Sequence, residues 1–167
     1  GSHTVLSLIN NGYKVTVIDN LSNSSQTSLN RIQSLLNCKI DFINCDLRSY
    51  KDLDRVFSKF KIDSVIHFAA LKAVHESISD PLRYYENNAY GTINLLKAME
   101  KYDVRNFIFS SSATVYGKEA KVPYKEDYSL GSPTSPYAYS KVMIERFLQD
   151  QILANKNLKI ISLRYFN

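Results

Sequence analysis

Little in this sequence invites a specialised reading. Four prolines and five glycines in 167 residues are too few for a disordered or fibrous chain. No apolar run approaches the ~20 residues that a membrane span needs, and no secretory leader pattern stands before the first helical segment, so a soluble domain is expected. The two cysteines, Cys38 and Cys45, lack the second pair that zinc spacing requires and suit a reducing cytosol. His3 and His75 stand at no metal-ligand spacing, and His67 lies inside an apolar run, where a hydrogen-bonded core residue is the expectation; no metal is assigned. The excess of positive charge, +5, does not imply a nucleic-acid face. Lysines and arginines alternate with acids, as in Lys51-Asp52-Leu53-Asp54-Arg55, the mark of a mixed solvated surface.

What is present is ordinary globular composition, 44% hydrophobic and 22% charged, enough for one domain over residues 1–167 built on one core. Val5, Leu6, Leu8 and Ile9 have helical spacing that stops at Gly12, and Val15, Val17 and Ile18 form a β-branched run closed by Asp19. A polar turn over 20–27 leads to a helix at 29–36, a strand at 40–44, a helix at 53–60 and a strand at 64–68. A long helix over 81–102, a strand at 106–111, a polar loop over 113–135, a helix over 136–155 and a strand at 159–165 complete the series. Strands alternating with helices predict a parallel sheet covered on both faces. In such sheets function gathers at the carboxyl ends of the strands.

Asp19 occupies one such end and stands eighteen residues after Gly1, close to the spacing of about twenty between the last glycine of a dinucleotide fingerprint and the acid that accepts hydrogen bonds from the adenosine ribose. An acid there disfavours a 2′-phosphate, which points to NAD. Farther along, Ser135-Pro136-Tyr137-Ala138-Tyr139-Ser140-Lys141 opens a helix with a serine cap and a first-turn proline. Tyr137 and Lys141, four residues apart, then share one face. A phenol is a poor base at neutral pH, but a neighbouring ammonium and a positive nicotinamide ring both favour its anion. Tyr-x-x-x-Lys by itself also reads as a packing pair. Ser110-Ser111-Ser112 at the end of the preceding strand adds a hydroxyl able to orient and relay the proton of a substrate alcohol.

Taken together, Gly1-Ser2-His3-Thr4, Ser110 to Gly117, the Ser-Pro-Tyr-Ala-Tyr-Ser-Lys stretch and Leu163-Arg164-Tyr165-Phe166-Asn167 resemble the UDP-glucose/UDP-galactose 4-epimerases of the extended short-chain dehydrogenase/reductase family, and the resemblance runs the length of the chain. It implies an α/β fold, a Rossmann-like doubly wound parallel sheet, here without its first strand and without the C-terminal substrate domain. It also implies a catalytic triad of Ser112, Tyr137 and Lys141. NAD would be bound by Gly1, by the ribose loop Asp19, Asn20, Leu21, Ser22, Asn23 and Ser24, and by the adenine-contacting pair Asp46 and Leu47. The loop Phe68, Ala69, Ala70, Leu71 and Lys72 would lie beside the nicotinamide half, supported by Asn87 and Phe166 together with the triad. The UDP-hexose would meet Lys72, Ser112, Tyr137 and Asn167, and the enzyme would be a homodimer packed through the helices at 81–102 and 136–155. Two other readings stay open: a nucleotide-sugar 4,6-dehydratase or decarboxylase of the same family, and a non-catalytic fragment. Dehydratases of this kind typically carry Thr-Asp-Glu where this chain has Ser112-Ala113-Thr114, which favours the epimerase.

Overall fold

A computed structural model describes residues 1–166. The chain divides into two compact units, one ending at Asp46 and one beginning at Leu47. In the first, α1 (Ser2–Asn10) precedes β1 (Thr16–Asp19), α2 (Thr27–Leu36) and β2 (Asp41–Asn44). The β-branched Thr16, Val17 and Ile18 favour an extended chain, and β1 pairs in parallel with β2 from Thr16 opposite Asp41 to Asp19 opposite Asn44. Helix α2 buries Leu29 and Ile32, one turn apart, and ends at Asn37 in the left-handed region (φ 47°), which asparagine tolerates better than most side chains.

The second unit runs α3 (Tyr50–Lys59), β3 (Ser64–His67), α4 (Val74–Ser79), α5 (Pro81–Tyr84), a π-helical turn (Tyr85–Tyr90), α6 (Gly91–Lys101), β4 (Asn106–Ser112), a 3₁₀ turn (Ala113–Tyr116), α7 (Pro136–Ala154) and β5 (Lys159–Tyr165). Its three strands are all parallel in the order β3-β4-β5. Alternation along β4 buries Phe107, Phe109 and Ser111, and the rings of Phe107 and Phe109 stack 6.4 Å apart with His67 tilted against both. Helix α7 begins as its sequence dictates. Ser135 Oγ accepts a hydrogen bond from the Ala138 amide at 3.2 Å, and Pro136 occupies the first turn, where its missing N–H costs nothing. The helix then buries Ala138, Lys141, Ile144, Glu145 and Leu148, one stripe at helical spacing. Ile144 and Leu148 each contribute roughly 1.5–3 kcal/mol by leaving water.

Parallel register decides where the site can form. His67 lies level with Phe109 and Ser112 level with Tyr165, so the segments after β3, β4 and β5 all emerge at the carboxyl edge of this sheet.

The expected parallel α/β architecture is present, with the strands in two ladders, β1-β2 and β3-β4-β5; strand-helix alternation predicts parallel pairing but carries no information on which strands are lateral neighbours. One face of β4 is buried and the other half-buried, while on β5 Ile161 and Leu163 are exposed and, among the described residues, β4 is the pairing partner. The long helix over 81–102 is continuous only through a π turn, and an additional short helix, α4, precedes it. Hydrophobic periodicity detects neither, since a π turn inserts one residue and is held by bonds to distant segments.

Candidate active site

In the first unit the segment after β1 folds on its own polar side chains. Asp19 Oδ1 accepts hydrogen bonds from the Leu21 amide and the Ser24 hydroxyl, both at 2.8 Å. Asn20 Oδ1 accepts from the Ser22 amide at 3.1 Å, and Asn20 Nδ2 donates to Asp46 Oδ2 at 3.0 Å. These consecutive Asx turns hold Leu21 at φ 55°, a conformation that a non-glycine residue adopts only under tertiary constraint. Asp19, Asn20, Leu21, Ser22, Ser24 and Asp46 are thus one structure; Asn23 is exposed beside them. The second oxygen of Asp19 has no partner among the described residues, so a half-buried carboxylate at a strand end keeps an acceptor for a ligand hydroxyl. Gly1 caps α1 and accepts from the Val5 amide through its carbonyl, but a Cβ placed on it would meet no atom within 4 Å.

In the second unit, Leu47 is fixed by two devices that sequence reasoning missed. Asn94 Nδ2 donates to the carbonyls of Leu47 and Arg48 at 3.2 and 3.0 Å. Gly91 lets α6 approach, since a Cβ there would come within 3.2 Å of Leu47 Cβ. The loop Phe68 to Lys72 is held in the same manner. Asn88 Oδ1 accepts from the Leu71 amide at 2.8 Å and Asn88 Nδ2 donates to the Leu71 carbonyl at 2.9 Å, as a neighbouring strand would, and also to Ser140 Oγ at 3.1 Å. Leu71 is buried, Ala69 and Lys72 are exposed, and Phe68 and Ala70 are intermediate. Asn87, the residue singled out from the sequence, is half-buried and donates to Asn88 Oδ1 at 3.0 Å. Two adjacent asparagines gave no means of telling which one bears the structural bonds.

His67 is the core residue expected. It is 4% exposed, and its Nε2 lies 2.9 Å from Thr92 Oγ1, whose own proton goes to the Asn88 carbonyl. Burial, and secondarily the charge of Lys141, depress its pKa to about 3, which keeps the imidazole neutral. Among the described residues no group of three or more histidine, cysteine or acidic side chains is placed to hold a metal.

Tyr137 and Lys141 lie where α7 meets the end of β4, two residues before Ser112 on that strand. Lys141, 4% exposed, donates from Nζ to the Ser110 carbonyl at 2.7 Å and lies 4.7 Å from the Phe109 ring centroid and 6.0 Å from that of Tyr137. Burial pulls its pKa down to about 8, against the opposing pull of the Glu145 carboxylate one turn farther along. The Tyr137 hydroxyl makes no hydrogen bond among the described residues, and the ring is half-buried. Ser112, two residues past the Lys141 acceptor, accepts through Oγ from the amide and hydroxyl of Thr114 at 3.3 and 3.1 Å. This leaves its own proton available. Phe166 stacks on Tyr124 at 5.7 Å and lies 6.5 Å from Tyr116, at the end of β5. Asn167 lies outside the described residues.

Parallel strands ending in polar loops, with a buried lysine one helical turn after a tyrosine, are the pattern of a short-chain dehydrogenase-type nucleotide-binding domain. More narrowly, the chain belongs to the NAD dependent epimerase/dehydratase family, whose model matches residues 1–167. It is 52% identical over its full length to the UDP-glucose 4-epimerase of Erwinia amylovora and covers 50% of that protein. Two crystal structures are also similar. One is UDP-glucose 4-epimerase from Bifidobacterium longum in complex with NAD+ and UDP (TM-score 0.96, 44% identity, 99% of this chain and 50% of that one). The other is UDP-glucose-4-epimerase from Stenotrophomonas maltophila with bound NAD and formylated UDP-arabinopyranose (TM-score 0.95, 38% identity, 100% and 49%). The chain spans about half the length of the relatives it matches.

Proposed function

We propose that this chain supplies the NAD-binding and proton-transferring part of a UDP-glucose 4-epimerase, interconverting UDP-galactose and UDP-glucose through a 4-keto sugar. The observation that carries the reading is Lys141: a buried ammonium, bonded to the carboxyl end of β4, beside the tyrosine one turn before it on a serine-capped helix. An unpaired buried charge is costly, and its use is to stabilise negative charge developing on the phenol oxygen. Tyr137 takes the proton from the hydroxyl on carbon four of the hexose. Ser112 orients that hydroxyl and relays the proton. Asp19 holds the adenosine ribose through its unpartnered oxygen, Asn20, Leu21, Ser22, Asn23 and Ser24 line the same loop, and Asp46 with Leu47 meets the adenine. Phe68 to Lys72, Asn87 and Phe166 flank the nicotinamide end, and Lys72 and Asn167 reach the UDP-hexose. NAD held by these residues would supply the hydride acceptor and donor for carbon four of the hexose.

Incubation of the full-length protein with UDP-galactose and NAD tests the reading, and UDP-glucose is the expected product. A 4-keto-6-deoxy sugar would instead establish the dehydratase. Ala113 and Thr114, where that chemistry needs acids, argue against it. Titration of NAD against the 167-residue chain addresses the non-catalytic reading: tight, saturable binding is expected. Asp19→Asn is expected to weaken NAD binding about tenfold, as the loss of one charge-assisted bond to a ribose hydroxyl requires, while raising the affinity for NADP relative to NAD. A Kd for NAD unchanged in this variant would remove Asp19 from the site.

The proposal includes a homodimer in a reducing cytoplasm. Leu82 and Tyr90, in the run from Pro81 to Lys101, and Tyr139 and Met143 on α7 are exposed, giving both helical runs apolar side chains to bury. Sedimentation of the full-length protein at twice the protomer mass is the expected result.

A further inference from the structure

Proton transfer as set out above leaves one buried charge unused. Among the described residues, Lys141 and Glu145 are the two charged side chains classed as fully buried, at 4% and 3% exposure. Glu145 is completely engaged. Its Oε1 accepts from Ser111 Oγ at 2.5 Å and from Arg164 Nε at 3.1 Å, and its Oε2 accepts from Arg164 at 2.8 Å. Arg164 in turn lies over the Tyr116 ring at 4.8 Å and donates to the Glu126 carbonyl at 3.3 Å. Burying an ion pair seldom adds net stability over apolar packing of the same shape, so what the pair holds in place matters more than its energy.

It holds the strand that carries Ser112. Helix α7 grips the end of β4 at consecutive residues, through Lys141 at the Ser110 carbonyl and through Glu145 at the Ser111 hydroxyl. Alternation along the strand turns Ser111 to the face opposite Ser112, so the grip fixes the backbone without occupying the Ser112 hydroxyl. Arg164, paired through β5, whose Tyr165 is level with Ser112, keeps the carboxylate from rotating away. We propose that Glu145 is a positioning residue for proton transfer: clamped by Arg164 on β5, it holds Ser111 and so sets the place of Ser112 relative to Tyr137 and Lys141 on its own helix. The proposal rests on the epimerase reading for its catalytic consequence and on geometry alone for the clamp.

The test uses Ser111, which can be changed without uncovering a charge. In the full-length protein, S111A is expected to lower kcat about tenfold or more, the scale on which sub-ångström to ångström misplacement acts, with KM within about twofold. Amide hydrogen exchange at residues 110–112 should rise against the rest of the sheet. S111T, which restores the hydroxyl on a β-branched frame suited to a strand, should recover both. S111A with kcat within about twofold of the parent, or slowed with no change in exchange at 110–112, would overturn the proposal. So would an S111T as slow as S111A. If the unmodified full-length protein fails to turn over UDP-galactose, the functional reading falls instead, and the exchange rates of S111A and S111T still decide the clamp.

Discussion

Tyr137→Phe is expected to lower turnover of UDP-galactose by about 10²–10⁴, the range that a positioned general acid-base contributes, while leaving the fold intact. The two halves of this expectation rest on different observations. The hydroxyl makes no hydrogen bond among the described residues and the ring is half-buried, so its removal opens no cavity and orphans no buried partner; unfolding stability should change by no more than about 0.5 kcal/mol. Lys141, 6.0 Å from the ring centroid, has no other tyrosine ring within cation-π reach in the described residues, so no second phenol takes over. Steady-state kinetics alongside a thermal unfolding curve checks both. A variant retaining a tenth of parental kcat would place the base elsewhere.

Lys141→Met is expected to separate activity from stability in the opposite sense. Turnover should fall about 10²-fold or more, because the charge that stabilises the developing phenolate is lost. Stability should hold or rise. The folded pKa is depressed from 10.5 to about 8, chiefly by burial. The sign follows: below pH 8 the lysine is protonated in folded and unfolded chains alike, and the folded state bears the full cost of burying the charge, about 3 kcal/mol. That cost is relieved as pH rises from about 8 to 10.5. The parent should therefore gain stability across that window, and the methionine variant, with no amine to titrate, should not. Unfolding free energies of the two proteins between pH 7 and 10 make the comparison. Parallel curves would mean that the amine is better solvated than its surroundings imply. The same titration predicts that activity fades as the ammonium is lost above pH 8.

Much of this was legible in the residues. Local chemistry fixed the serine-capped start of α7, the strand ended by Asp19, and the one-turn spacing of Tyr137 and Lys141, because caps, β-branched runs and helical repeats act over a few residues. The polar turns after β1 and the family were legible for the same reason: short strings carry them. The sequence pattern was silent wherever one segment is held by another. That Asn88 bears the Leu71 backbone beside Asn87, that the helix between Pro81 and Lys101 passes through a π turn, and that Asn94 and Gly91 seat Leu47 all depend on partners 17 to 47 residues away. The strongest case is Glu145, in sequence merely one of two acids on a helix whose other acid, Asp150, faces water. Only the folding of β4 and β5 against α7 gives that carboxylate three hydrogen bonds, from Ser111 and Arg164, and a neighbouring ammonium, since burial and charge pairing are properties of the assembled structure and not of the chain.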